Sequence, residues 1–185
     1  MLASVTRFLE RTLKLKVNTT KSAVARPWDR KFLGYSMTWH KKPRLKVASQ
    51  SIKRFCEKLR ALFRKGRGRN MGRFIAGDLN PLLRGWANYF CLTEVKGVLE
   101  ELDMRIRHHL RCTLWRQWKK PATRFRRLVS LGISQERAKI SVSNGRGPWW
   151  NSGASHMNDA VRRKYFDKLG LISLLDQVRK VSALN

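Results

Sequence analysis

Apolar positions along this chain recur at helical spacing, then at strand spacing, then at helical spacing again. Residues 2–13 (LASVTRFLERTL) put Val5, Phe8, Leu9 and Leu13 on one side of a short helix. The segments LKVNTTKSAVARPW (15–28) and RKFLGYSMTWH (30–40) are rich in β-formers, with Pro27 and Asp29 as turn signals between them. They predict two antiparallel strands, with RLKVA (44–48) as a third candidate. So small a sheet is not stable alone; it leans on helices or is the end of something larger.

From Ser51 the period becomes 3.6. Ile52, Phe55, Leu59, Leu62 and Phe63 share one side, and Lys53, Arg54, Lys58, Arg60 and Arg64 the other. A basic glycine loop, KGRGRN (65–70), precedes a short helix over 71–79. Asn80 and Pro81 then form a helix-start signal, because Asn can cap and Pro suits the first helical position. Leu82, Leu83, Trp86, Tyr89 and Phe90 follow at helical spacing. In the next helix Glu100, Glu101 and Asp103 sit near the positive N-terminal end. Its apolar residues Leu102, Ile106, Leu110, Leu114 and Trp118 step by four, so the stripe winds by roughly 40° per step and its two ends meet different neighbours. Residues 51–120 thus predict a bundle of three or four helices, closed by Pro121. Beyond it the pattern predicts helices over 123–131, from about Ser134, and over 158–169, the last closing on Gly170. Residues 144–148 read as a plain loop followed by Trp149 and Trp150, and LISLLDQVRKV (171–181) is apolar enough to dock back. The fold class is mainly α, with a small antiparallel β element near the N-terminus.

Charge sharpens the picture. Lys and Arg number 41 against 12 Asp and Glu, for a formal net charge of +29 in 185 residues. Such an excess destabilises a compact chain by self-repulsion unless something offsets it, and polyanions do so while releasing condensed counterions. With 42% apolar residues and 7 Trp, the chain is a folded basic domain rather than a disordered tail. The 3 cysteines, Cys56, Cys91 and Cys112, stand singly, so neither a disulfide framework nor a paired-cysteine zinc site is expected. No apolar run approaches a membrane span, and residues 1–20 lack a signal-peptide core; a cytosolic protein without membrane contact is expected.

Catalytic candidates are poor. Helix charge compensation accounts for the acidic group at Glu100, Glu101 and Asp103. His108 and Cys112 lie four apart but have no second ligand pair, so a structural or nucleic-acid-facing role is expected and no metal. Gly66 and Gly68 do not belong to a phosphate-binding loop of the nucleotide-hydrolase type. No enzyme activity and no cofactor are expected. Basic faces, in contrast, recur with hardly any intervening acid. The candidate RNA-binding residues are Lys53, Arg54, Arg60, Lys65, Arg67, Arg69, Arg73, Arg84, Arg105, Arg107, His108, Arg111, Arg116, Lys119, Lys120, Arg124, Arg126 and Arg127. Arg dominates Lys, which suits bidentate phosphate contacts and stacking in structured RNA. Spacing assigns Trp86 and Tyr89 to the core rather than to base stacking, leaves Trp115 ambiguous, and allows Trp149 and Trp150 either to stack on bases or to pin the tail.

The segment NPLLRGWANYF (80–90), with the basic helix ending LWRQWKKP (114–121), closely resembles the maturase-specific, or X, domain of group II intron-encoded proteins. Upstream, LKVNTTKS (15–22) and FLGY (32–35) are similar to the last two blocks of the reverse transcriptase palm in that family. Downstream, residues 123–132, Trp149-Trp150 and KLGLISL (168–174) are similar to the C-terminal tail of bacterial members. The resemblance implies a palm remnant at 1–47 (helix plus β-hairpin), a helical thumb (X) domain at 48–121 and a basic helical tail at 122–185. It implies a chain that binds structured intron RNA and assists splicing, the RNA doing the chemistry. The aspartates that hold Mg²⁺ in the parent polymerase are not found in the matching blocks, so Mg²⁺ is expected in the parent enzyme and the ribozyme but not on this chain. Rival readings are one piece of a split reverse transcriptase that completes a separate palm chain, a decayed retroelement fragment, and target-DNA contact through the tail.

Overall fold

The computed structural model describes residues 2–18 and 22–183. Helix α1 (Leu2–Arg11) precedes a two-stranded antiparallel sheet of β1 (Tyr35–Met37) and β2 (Leu45–Val47), in register Ser36 opposite Lys46. The sequence expectation is corrected here. Residues 14–18 and 22–26 form no strand, and the sheet pairs the second and third candidate segments; Thr19, Thr20 and Lys21 of the first lie outside the described residues. The outer side of β2 is taken by the chain near Glu94, whose backbone N–H donates to the Leu45 carbonyl at 2.9 Å and whose carboxylate accepts from the Leu45 N–H at 2.5 Å.

The bundle consists of α2 (Ser49–Lys65), α3 (Met71–Phe74), α4 (Asn80–Tyr89) and α5 (Gly97–Gln117). Between α3 and α4 the helix continues through a π turn, Ile75–Leu79, in which the Asn80 N–H reaches back to the Ile75 carbonyl. The tail contributes short helices joined by turns: α6 (Pro121–Ser130), α7 (Gln135–Val142), α8 (Pro148–Gly153), α9 (Ser155–Ala160), α10 (Arg163–Lys168) and α11 (Leu174–Ser182). Trp149 and Trp150 therefore lie within a short helix rather than after a plain loop. The single helix expected over 158–169 is two, broken at Val161, which leaves the helical region (φ −116°, ψ 68°) while its side chain is fully buried. Gly170 adopts φ +78° and ends α10 as expected, with the Leu171 N–H returning to the Phe166 carbonyl at 3.0 Å.

One apolar cluster joins α2, α3, α4, α5 and the tail, running from Phe55 to Val178 across the boundary drawn at 121. The four-step stripe of α5 is buried along its whole length, and Leu99 and Trp115 are buried beside it. Trp115 is thereby resolved as core. Trp86 packs on Phe55 with ring centroids 4.5 Å apart, whereas Tyr89 is exposed and donates its hydroxyl to the Leu33 carbonyl at 3.0 Å, contrary to the core assignment from its spacing. LISLLDQVRKV does dock back: Leu174, Leu175 and Val178 are buried, with α11 packed on α4 and α5.

Two polar residues hold that tail. Asp103, expected to compensate the α5 dipole, is 5% exposed and serves α11 instead: it accepts from the Ser173 hydroxyl (2.6 Å) and from the N–H groups of Leu174 (2.9 Å) and Leu175 (3.3 Å). A carboxylate is thus aimed at orphan donors and at the positive end of a helix dipole. Asn80 is also buried, and its amide donates to the Gly170 carbonyl (2.8 Å) and accepts from the Ile172 N–H (3.2 Å). α1 is the counter-example. It is amphipathic but buries no residue, leaving Val5 and Phe8 exposed together with Leu33, Phe32 and Trp39 further along.

Candidate nucleic-acid interface

α2 and α5 run side by side, and the polar sides of both helices border the same cleft. Its volume is about 410 Å³, and Arg60, Phe63 and Arg64 of α2, Arg67 of the glycine loop, His109, Cys112, Thr113 and Arg116 of α5, and Trp149 of α8 line it. No carboxylate enters this lining. Among the described residues four aspartates make ion pairs elsewhere: Asp78 with Arg69, Asp159 with Arg137, and Asp167 and Asp176 with Arg163. Among those residues, Arg60, Arg64, Arg67 and Arg116 are exposed and have no carboxylate partner. A positive field in a partly apolar cleft is the physical requirement for holding a phosphodiester.

His109 forms part of the floor. Its ring stacks on Phe63 at 4.8 Å and tilts against Trp149 at 4.8 Å. Burial above all, and then the charges of Arg105, His108 and Arg60, push its pKa down to about 4, so it is a neutral aromatic surface at physiological pH. His109 is not among the sequence candidates, because a histidine between basic residues on a helix gives no signal of burial.

Across Trp149 lies a second, more open depression where Arg105, Arg107, His108 and Arg111 are joined by one acid, Glu101. Here several candidate residues serve the scaffold. His108 stacks on Trp149 at 3.9 Å, with Nε2 3.0 Å from the Trp149 carbonyl oxygen, and Gly153 approaches so closely that a Cβ there would lie 3.2 Å from the His108 ring. Arg111 donates from Nε to the Ser152 carbonyl at 2.9 Å; burial and the neighbouring Arg107 push its pKa down to about 10, which leaves it charged at neutral pH. Together these contacts seat α8 on α5, so Trp149 both pins the tail and stands, 47% exposed, between the two depressions.

The structure thus gathers Arg60, Arg67, Arg105, Arg107, His108, Arg111 and Arg116 of the candidate set around Trp149. Lys53, Arg54, Lys65, Arg73, Arg84, Lys119, Lys120, Arg126 and Arg127 are exposed but border neither depression. Arg69 is held by both carboxylate oxygens of Asp78 at 2.9 and 2.7 Å, and Gln117 donates to its carbonyl at 2.8 Å, which ties the glycine loop to α5. Arg124 lies over the Trp115 ring at 4.7 Å and clamps α6 to the bundle. His108 and Cys112 do not converge, since His108 faces Trp149 and the depression beyond it while Cys112 borders the α2–α5 cleft. Among the described residues no helix is long and apolar enough to cross a membrane.

Comparison with known families matches residues 52–132 to the group II intron, maturase-specific domain. The match begins in α2 and ends after α6, and so contains the arginine-lined α2–α5 cleft. A search of curated proteins returns no match for the chain.

Proposed function

We propose that this chain binds structured intron RNA and assists its splicing, a reading supported by the match of residues 52–132 to the group II intron, maturase-specific domain. The observation that carries the proposal is the arginine-lined cleft between α2 and α5, whose lining contains no carboxylate, within a chain of net charge +29. In this reading the arginines neutralise phosphates where intron strands come close together, which stabilises the compact ribozyme, and the protein contributes no group to bond making or breaking.

The test is RNA binding as a function of salt, together with splicing at near-physiological Mg²⁺ with and without the protein. Replacing Arg60, Arg64 and Arg116 together by Gln spares the internally bonded Arg111. It is expected to reduce the log–log salt slope by roughly 0.7–0.9 for each phosphate that is no longer neutralised. An unchanged slope, or equal splicing with and without wild-type protein, would overturn the proposal.

A second reading is supported by the apolar residues that α1 and the Phe32–Leu33 turn leave uncovered. In it, residues 2–48 associate with a separate chain that carries a reverse transcriptase palm. Light scattering on the mixed chains tests it: a stoichiometric complex that disappears on Phe8→Ser supports the reading, and two unassociated species refute it.

A further inference from the structure

The α2–α5 cleft is more aromatic than phosphate binding requires. Its volume of about 410 Å³ falls within the range of small-ligand pockets, about 300–1,000 Å³. Its rim is cationic and its floor is the Phe63–His109 stack, with Trp149 as one wall. A site for the sugar–phosphate backbone alone would be served by exposed arginines on a convex helix. A recess with a neutral ring below and guanidiniums above fits a group that is flat and uncharged at one end and anionic at the other.

We propose that the cleft between α2 and α5 takes a single unstacked nucleotide of the bound RNA, its base against Trp149 and His109 and its phosphate among Arg60, Arg64 and Arg116. The inference rests on the RNA-binding reading above and adds what that reading leaves open, a preference for RNA with a bulged or unpaired residue over continuous duplex. Base–aromatic stacking tolerates any base, so the preference is for structure rather than sequence. His109 contributes as a neutral ring, which is how its burial keeps it.

The experiment compares two RNA hairpins of equal length and charge, one fully paired and one with a single bulged 2-aminopurine, binding to the full chain. Wild-type protein is expected to bind the bulged hairpin roughly tenfold more tightly, with the fluorophore quenched on binding. Trp149→Ala is expected to abolish both preference and quenching. Since Trp149 also seats α8, Trp149→Phe, which keeps a stacking face, is expected to retain the preference, and Trp150→Ala to behave as wild type. Equal binding of the two hairpins by wild-type protein with an undiminished salt slope would overturn the nucleotide pocket while RNA binding stands. Failure to bind either hairpin would overturn both. Preference and quenching that survive Trp149→Ala would also overturn the proposal.

Discussion

Asp103 gives the most demanding test of how the tail is held. Replacing it by Ala removes the acceptor of two buried backbone N–H groups, Leu174 and Leu175, and of the Ser173 hydroxyl. A buried donor left unpaired costs about 1–3 kcal/mol. Loss of the negative charge at the α11 N-terminus adds about 0.3–1 kcal/mol, and water entering the vacated space recovers some of the total. The expected destabilisation is about 3 kcal/mol. Asp103→Asn preserves shape and one acceptor oxygen and is expected to cost about 1–2 kcal/mol. Urea unfolding measures the change, and hydrogen exchange localises it: the Leu174 and Leu175 amides should exchange about a hundredfold faster in the Ala variant under conditions where opening is at equilibrium. If Asp103→Ala lies within about 0.5 kcal/mol of wild type and the α11 amides keep their protection, the carboxylate does not hold the tail.

Two further predictions concern the bundle. His109 has its pKa near 4 in the fold against an ordinary 6.5, so the unfolded chain takes up the proton first and stability falls as pH is lowered from about 6.5 to 4. After discounting for the ring's partial exposure, the contribution is about 1 kcal/mol; His109→Gln should remove that part of the slope, and parallel profiles for the two proteins would refute it. Gly66→Ala would set a Cβ 2.4 Å from the buried Phe74 ring, itself packed on Phe63, and should cost about 1–3 kcal/mol by urea midpoint. Gly68→Ala meets nothing within 4 Å and should lie within about 0.5 kcal/mol of wild type.

How much of this was legible depended on whether a signal was local. The 3.6 period alone identified the buried side of α5, because an apolar stripe has to be covered by something, and it placed Trp86 against the core for the same reason. It fails for α1, where the same periodicity exists but no residue of the helix is buried among the described residues. Asp103 and Asn80 were given their local meanings, dipole compensation and helix capping. Their partners lie 70 to 72 and 90 to 92 residues away, a distance no spacing rule spans. The strand assignment rests on β-propensity, which reflects packing against neighbours, and residues 15–18 and 22–28 of that segment form no strand. In the cleft, the arginines were visible as a face, but the recess was not, since His109 and Trp149 meet only when α8 is seated on α5.

The π turn at Ile75–Leu79 bears on how helices keep phase. An α-helix advances about 100° per residue, so one extra residue would rotate everything beyond it by that amount. Met71, Phe74 and Ile75 before the turn and Leu83, Ala87 and Phe90 after it are nevertheless all buried. The wider turn absorbs the extra residue and returns the second segment to the azimuth of the first. Counted without Ala76 or Gly77, both exposed, the same apolar residues fall on one unbroken α-helical stripe. The turn therefore carries one residue more than the α-helical repeat needs. What it adds is on the outside: a bulged turn that presents Asp78 to Arg69, so that a single surplus residue in a helix fixes the loop at the mouth of the arginine-lined cleft.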